Sequence, residues 1–197
     1  MVVTVIPATP FHESKERLSP VLSLQQRILL SQKLLEHTIL VASQISQVVV
    51  VSRSIAVRQF VTQLGAHAFV EEQTDLNAAI RQGIAWGQAQ GVSSVLILPL
   101  DLPLLSTTAL KDLVDLGLQH SPSVVIAPCR HRQGTNALLL TPPTLIPPQF
   151  GPTSFDEHQK LARNVGVLPK IYDVPELAFD LDTPEDWQEL ETLVPLS

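Results

Sequence analysis

A chain of 197 residues, 45% hydrophobic and 16% charged, carries enough apolar material for one domain with one substantial core, which excludes a disordered polymer. Its net charge of −6, with Lys and Arg sparse and never in a run, argues against nonspecific nucleic-acid binding; a polyanionic ligand must be met by a few placed cations, by backbone amides or by a divalent metal. Cys129 is the only cysteine, so a disulfide within the chain and a thiolate metal cluster are ruled out, and a reducing, cytoplasmic setting is expected. No apolar run approaches the ~18 residues that cross a bilayer, so no membrane partner is expected.

In chain order, residues 2–6 are apolar and β-rich and read as a central strand. The first seven residues have no basic segment and no small-residue cleavage site, so they are expected to be that strand and not a signal peptide. A loop to Pro20 holds Lys15 and Arg17. Ser23 and Gln26 form a capping box ahead of a helix that reaches about Ala42, with Leu34, Leu35 and Ile39 at helical spacing. The valines at 48–51 make a second buried strand. Ser54 opens a helix that Gly65 stops, and residues 66–70 form a third strand. Asp75 caps a helix closed by Gly91, and residues 95–105 read as a strand buried on both faces before a helix from Ser106. Strands at 124–127 and 137–140 follow, then a proline-dense loop over 142–152, a short helix capped by Ser154, and a strand at 171–174. At the end Thr183 is an N-cap, Pro184 takes N1, and acids fill the first turn. This alternation implies an α/β fold, a three-layer, mostly parallel sheet in a single domain over residues 1–197.

One carboxylate sits in an expensive place. Asp101 lies between Pro99 and Pro103 where the 95–105 run gives out, and a lone buried carboxylate needs a partner. Ser106 already fills the cap of the next helix, so Asp101 has another task. In open α/β sheets ligands bind beyond the carboxyl ends of the strands. That rule gathers residues 7–17, Asp101, the 134–136 segment and residues 180–183 on one edge: two cations, two or three carboxylates and a loop of small donors. Such oxygen ligands suit Mg²⁺, which takes one or two carboxylates together with substrate phosphates. The P-loop, dinucleotide, zincin and nucleophile-elbow patterns are all absent. The six histidines show no metal-ligand spacing and read as surface or core residues.

Seven segments in order carry a resemblance: IP at 6–7, SKERLSP at 14–20, LNAA at 76–79, LPLDLPL at 98–104, GTNAL at 134–138, FGPTSF at 150–155 and DLDTPED at 180–186. Together they resemble the guanylyltransferase family that makes the phosphodiester-linked precursor of the deazaflavin coenzyme F-420, over nearly the whole chain. The resemblance implies a fold like the molybdenum-cofactor nucleotidyltransferases, a nucleotide-diphospho-sugar-transferase-like (Rossmann-like) domain. It implies transfer of GMP from GTP to phosphoenolpyruvate or 2-phospho-L-lactate with release of pyrophosphate. It further implies Mg²⁺ held by Asp101 and by an acid of the Asp180/Asp182 pair, and an acceptor held by Thr135, Gly151 and Ser154. Where the family commonly has a Lys two residues beyond the first Pro, this chain has Thr9, leaving Lys15 and Arg17 to carry more of the triphosphate.

Physical roles stand beside that resemblance. A phosphate nucleophile is already ionised, so joining it to the α-phosphate calls for positioning and positive charge more than for acid–base chemistry. Lys15 neutralises the departing pyrophosphate and Arg17 offers a bidentate fork. Asp180 and Asp182 alternate by two and share one face on a strand, with Asp182 the favoured ligand. Pro7, Lys15, Asn77 and Pro99 are the nucleotide-side candidates, Asn77 for base or ribose. Thr135 offers a hydroxyl after Gly134, Gly151 allows close backbone approach, and Ser154 brings a hydroxyl and helix N-terminal amides to the acceptor phosphate. The alternatives are a nucleotidyltransferase of the molybdenum-cofactor type, against which the missing glycine-rich pattern after the first strand counts, and a non-catalytic nucleotide-binding module, which Thr9 suggests. The partners are GTP and a small phosphorylated acid; a homodimer, or a partner enzyme of the same pathway, stays open.

Overall fold

Strands whose successive side chains are all apolar must be covered on both faces, and that demand shapes this chain. The computed structural model describes residues 1–193; residues 194–197, the end of the single-domain range, lie outside the described residues. Strands β1 (Val2–Pro7), β2 (Gln47–Val51), β3 (His67–Phe69), β4 (Ser94–Ile97), β5 (Ser123–Pro128), β6 (Thr135–Thr141) and β7 (Lys170–Ile171) form one sheet in the order β3-β2-β1-β4-β6-β5-β7. Strand β6 is antiparallel to both neighbours, and every other pairing is parallel.

Period-two alternation distributes the core. Val2, Ile6, Val48, Val50, Leu96 and Leu98 face α1 (Leu24–Ser43), α2 (Ile55–Gln63), α4 (Thr107–Leu118) and the short α6 (Pro175–Ala178). Val3, Val5, Val49, Val95 and Ile97 face α3 (Leu76–Ala89) and α5 (Ser154–Asn164) on the other side. Helix α3 lies so close to the sheet that a Cβ on Gly83 would come within 2.4 Å of Val5 Cγ1. Val5 is fully buried and stiff at χ1, so it cannot step aside. Gly83→Ala is therefore expected to lower stability in urea unfolding by roughly 1–2 kcal/mol, the overpacking cost outweighing the helix-propensity gain. An unchanged midpoint would show that α3 can lift off the sheet.

A third, smaller cluster closes one end. Leu18, Leu22, Leu34, Phe179, Leu181 and Leu190 pack together and draw the turn Glu16–Leu18, the start of α1 and helix α7 (Pro184–Leu193) onto the sheet edge. Leu18 is three residues from Lys15 and Leu181 lies between Asp180 and Asp182, so this cluster carries the site's charged residues to one place.

Four expected elements differ. The run at 95–105 is a strand only to Ile97: Leu98 N–H donates to Val5 O at 3.0 Å, then Pro99 has no N–H to continue the ladder. The strand expected at 171–174 shrinks to Lys170–Ile171, because Pro175 starts α6 with its ring at N1. Residues 180–182 form no strand; a single backbone bond, Leu181 N–H to Asp101 O at 3.0 Å, ties them to the β4 loop. Thr153, not Ser154, is the N-cap of α5.

Candidate active site

Strands β1 and β4 finish at the same edge of the sheet, and β6 runs the other way, so it begins there. Pro7, the Pro99–Asp101 loop and Thr135 are thereby brought to one rim. The reversal of β6 is why an amino-terminal segment shares an edge with carboxyl-terminal ones.

Lys15 stands at the centre of that rim. Its ammonium donates to Asp101 Oδ2 at 3.2 Å and to Asp182 Oδ1 at 3.0 Å, and only 6% of its side chain is exposed. Burial pulls this ammonium down, but the Asp101 and Asp182 carboxylates together outweigh it and hold it above its ordinary 10.5. Its backbone is left-handed, φ 56° and ψ 36°, a conformation that costs a non-glycine residue about 1–2 kcal/mol. Packing of Leu18 and the double ion pair hold it there. Arg17, by contrast, is exposed, with Nη1 3.9 Å from Asp182 Oδ2, and is free to reach a ligand.

The acids are ordered by a second set of contacts. Leu181 is fully buried, while its neighbours Asp180 and Asp182 both line the rim. Burial first, and then the neighbouring Asp101 carboxylate, push Asp180 above the ordinary carboxylate range. The backbone N–H groups of Asp182 and Thr183 donate to Asp186 Oδ2 at 2.9 and 2.7 Å, while Asp186 Oδ1 accepts from Arg130. Arg130 also reaches Glu189 at 2.6 Å and lies over the Phe179 ring. Asp186 and Arg130 thus clamp the loop that presents Asp182.

Across the rim lies a cavity of about 640 Å³, whose walls include Asp101, Thr135, Gly151, Ser154, Asp180 and Asp182. Ser154 Oγ accepts the Thr135 N–H at 2.9 Å, and Thr135 Oγ1 is 2.9 Å from His158 Nδ1; all three residues are buried. The helix amides expected at this point are engaged elsewhere: Ser154 N–H donates to Gly151 O and Phe155 N–H to Gln133 O, both at 3.0 Å. Hydroxyls, more than the α5 terminus, are what the site presents. Asn77 pairs with the backbone of Phe150 in both directions, donating to its O at 3.0 Å and accepting its N–H at 2.7 Å. It straps the 142–152 loop to the start of α3. Two adjoining clefts complete the rim. One of about 400 Å³ is lined by Pro7, Thr9, Lys15, Arg17, Pro99 and Asp101 among others. The next, of about 300 Å³, runs past Thr9 to Arg53 and Glu71.

The family model described as "Guanylyl transferase CofC like" matches residues 2–193. The chain belongs to that family. A phosphoenolpyruvate guanylyltransferase of Rubrobacter xylanophilus is 37% identical over 96% of this chain and 93% of its own length. A 2-phospho-L-lactate guanylyltransferase of Methanosphaera stadtmanae is 31% identical over 96% and 83%. A 3-phospho-D-glycerate guanylyltransferase of Colwellia psychrerythraea is also 31% identical, over 96% and 90%. Among solved structures, a putative nucleotide-diphospho-sugar transferase from Desulfovibrio desulfuricans superposes with a TM-score of 0.79 at 14% identity, covering 98% of this chain and 87% of that one. The fold is therefore of the nucleotide-diphospho-sugar-transferase type.

Guanylyl transfer brings phosphate charge together, and hard oxygen donors with few other ligands are what a phosphate-bound divalent ion takes. No group of three or more His, Cys, Asp or Glu side chains converges into a protein-made cage among the described residues. The donors present are hard carboxylate oxygens, and Asp180 is crowded by both Asp101 and Asp182, so negative charge exceeds what Lys15 neutralises. That excess fits an ion taking few protein ligands and completing its shell from phosphates. Three residues escaped the sequence reading. Asp186 had a visible signal, the Thr-x-x-Asp spacing of a capping box at 183–186. His158 had a weaker one, its i+4 spacing from Ser154. Arg130 had none, since its partners lie more than fifty residues away.

Proposed function

We propose that the chain transfers GMP from GTP to a small phosphorylated three-carbon acid, phosphoenolpyruvate or 2-phospho-L-lactate, with release of pyrophosphate, as a step of coenzyme F-420 biosynthesis. The observation that carries this reading is Lys15, a buried ammonium in the smaller cleft set between Asp101 and Asp182, the two acids that line both that cleft and the larger cavity. Family membership and relatives named for such transfers support it.

In the reaction an acceptor phosphate oxygen forms a bond to the α-phosphorus while the bond from that phosphorus to the β-phosphate bridging oxygen breaks. No proton needs to move. Lys15 and Arg17 face the triphosphate cleft, where their charge offsets the two anions brought together and the pyrophosphate that departs. Pro7 and Pro99 shape that cleft, while Asn77, expected to meet base or ribose, has its amide taken up by Phe150 and holds the loop that carries Gly151 on the acceptor side. Thr135 and Ser154 donate to the acceptor, and Gly151 leaves room for it. Asp101 and Asp182, with Asp180 beside them, are the proposed Mg²⁺ ligands; a bound divalent ion supplies Lewis-acid neutralisation of phosphate charge. A cytoplasmic setting belongs to the same reading, since Cys129 is buried and unpaired and the substrates are phosphorylated metabolites. The non-catalytic alternative has no observation in its favour, because Thr9 leaves the Lys15 pairings intact.

The test is a panel of phosphoenolpyruvate, 2-phospho-L-lactate and 3-phospho-D-glycerate against GTP, ATP, CTP and UTP with Mg²⁺, read by phosphorus NMR. Pyrophosphate and a new phosphodiester signal are expected with GTP and at least one acid. Their absence with every acid, from folded protein, sinks the proposal. A second experiment addresses the acceptor side. A Cβ on Gly151 meets no heavy atom within 4 Å, so Gly151→Val enters open space at the cavity wall without displacing protein atoms. It is expected to leave the melting temperature unchanged while raising the acceptor KM about tenfold or more, the GTP KM staying put, as a filled near-contact volume would cost ~1–3 kcal/mol. An unchanged acceptor KM would place the acid elsewhere.

A further inference from the structure

The imidazole of His158 is fully buried, beside the acceptor cavity, and belongs to no charged cluster. Its two nitrogens have different and specific partners. Gln149 donates its backbone N–H to Nε2 at 3.0 Å. A backbone amide can only donate, so Nε2 must present its lone pair. The ring proton of the neutral imidazole then resides on Nδ1, and Nδ1 is 2.9 Å from Thr135 Oγ1. Burial supports the neutral form, pulling the imidazole down to about 4 from its ordinary 6.5. The opposite tautomer would set an Nε2 hydrogen against the Gln149 amide hydrogen.

This assignment has a consequence for the hydroxyl. Thr135 Oγ1 accepts from His158, so its own hydrogen is directed away from the ring. Among the described residues that hydrogen has no recorded acceptor, and Thr135 lines the cavity. Ser154 repeats the logic: its Oγ accepts the Thr135 N–H, leaving its hydroxyl hydrogen to be donated. A Ser or Thr hydroxyl has one hydrogen to give and two lone pairs; here one lone pair of each oxygen is already taken by a protein donor, which turns the hydroxyl hydrogen away from that donor and leaves it for a ligand. An anion needs donors, and a fixed donor loses little orientational freedom on binding it.

His158 also joins two walls of the cavity. Through Gln149 it anchors the loop that leads to Gly151, next to the Phe150 that Asn77 straps, and its ring packs edge-on to Phe150 at 5.0 Å. We propose that His158, its Nε2 engaged by the Gln149 N–H and its Nδ1–H given to Thr135, is a positioning residue that fixes the Thr135 hydroxyl as a hydrogen donor to the phosphate of the acceptor acid. The inference rests on the acceptor placement proposed above.

The two contacts can be separated by substitution. An Asn amide nitrogen can replace Nδ1, and a Gln amide oxygen can replace Nε2. His158→Asn keeps a donor for Thr135 and loses the Gln149 partner; His158→Gln does the reverse. With phosphoenolpyruvate or 2-phospho-L-lactate as acceptor, H158N is expected to hold the acceptor KM within about threefold, and H158Q to raise it about tenfold, the effect of one charge-assisted hydrogen bond. The GTP KM is unchanged in both. In a Thr135→Val background H158Q adds nothing further. Equal effects of the two variants, or parallel loss of GTP affinity, would reduce His158 to a packing residue and overturn the inference. Nitrogen-15 NMR of the wild-type protein checks the tautomer without any variant: the Nδ1–H form is expected near neutral pH, and an Nε2–H form overturns the proposal. If the Nδ1–H form is seen but T135V leaves the acceptor KM at its wild-type value, the acceptor placement is what has failed, and the role given to His158 falls with it.

Discussion

Asp101→Asn is expected to abolish nearly all turnover while leaving the fold and its melting temperature close to wild type. The asparagine keeps the shape and can still accept from Lys15, and Lys15 retains the Asp182 carboxylate 3.0 Å away. The backbone bond from Leu181 N–H to Asp101 O does not involve the side chain and persists. What disappears is one unit of negative charge at the point where β4 gives way to the rim. A missing charge of this kind at a phosphate-handling centre costs about 10³-fold in kcat, or roughly 4 kcal/mol. Steady-state kinetics with circular dichroism checks both halves of the statement. Activity within threefold of wild type would remove Asp101 from the chemistry; an unfolded variant would make it a structural carboxylate. Restoration of turnover by high Mg²⁺ would identify the lost charge as a metal ligand's.

Local signals in the sequence reached local structure well and tertiary direction poorly. The Ser23–Gln26 capping box and the caps at Asp75 and Ser106 are all formed, because each is a contact within one turn of its own helix. The direction of β6 does not show in its own residues, since an apolar run looks the same forwards or backwards. A physical clue was present: only residues 129–134 separate β5 from β6, too short a link for a parallel crossover, which takes about a dozen residues or more. On the site side, residues 7–17 and Asp101 follow β1 and β4 to the edge that the carboxyl-edge rule names, since the rule follows from how βαβ units close; residues 180–182 join them without a strand, through the Leu181–Asp101 backbone bond and the packing of Leu181. The layer behind them was illegible. Arg130, Asp186 and His158 act through distant partners, and nothing local distinguishes an arginine that braces a loop from one in solvent. The engagement of the α5 amides is illegible for a related reason: whether an N-terminal N–H is free depends on which loop folds over it, here residues 133 and 151.

Lys15→Met gives the second large effect, and it separates the two things this residue does. Chemically, the variant loses the ammonium proposed to offset phosphate charge, and kcat is expected to fall about 10²–10³-fold. Structurally, Asp101 and Asp182 lose a shared partner and stand beside Asp180 with nothing between them. Because those carboxylates are 24% and 39% exposed, water absorbs part of the loss. The full penalty for breaking a buried pair therefore does not apply, and about 1–2 kcal/mol is expected, a drop of roughly 3–6 °C in melting temperature. Lys15→Arg should not rescue it: the slot is nearly closed and built for a point charge, and a planar fork cannot place one nitrogen between both acids. The pH dependence supplies an internal check. The folded-state value is raised above 10.5, so the stabilisation is fully present below 10.5 and is lost only as pH climbs through the higher folded value. Denaturant unfolding at pH 7 and again near pH 11 should show the wild type descending toward the variant at the alkaline end. A gap that stays constant across that range would mean that the methionine acts through packing or through the strained left-handed backbone, not through the charge.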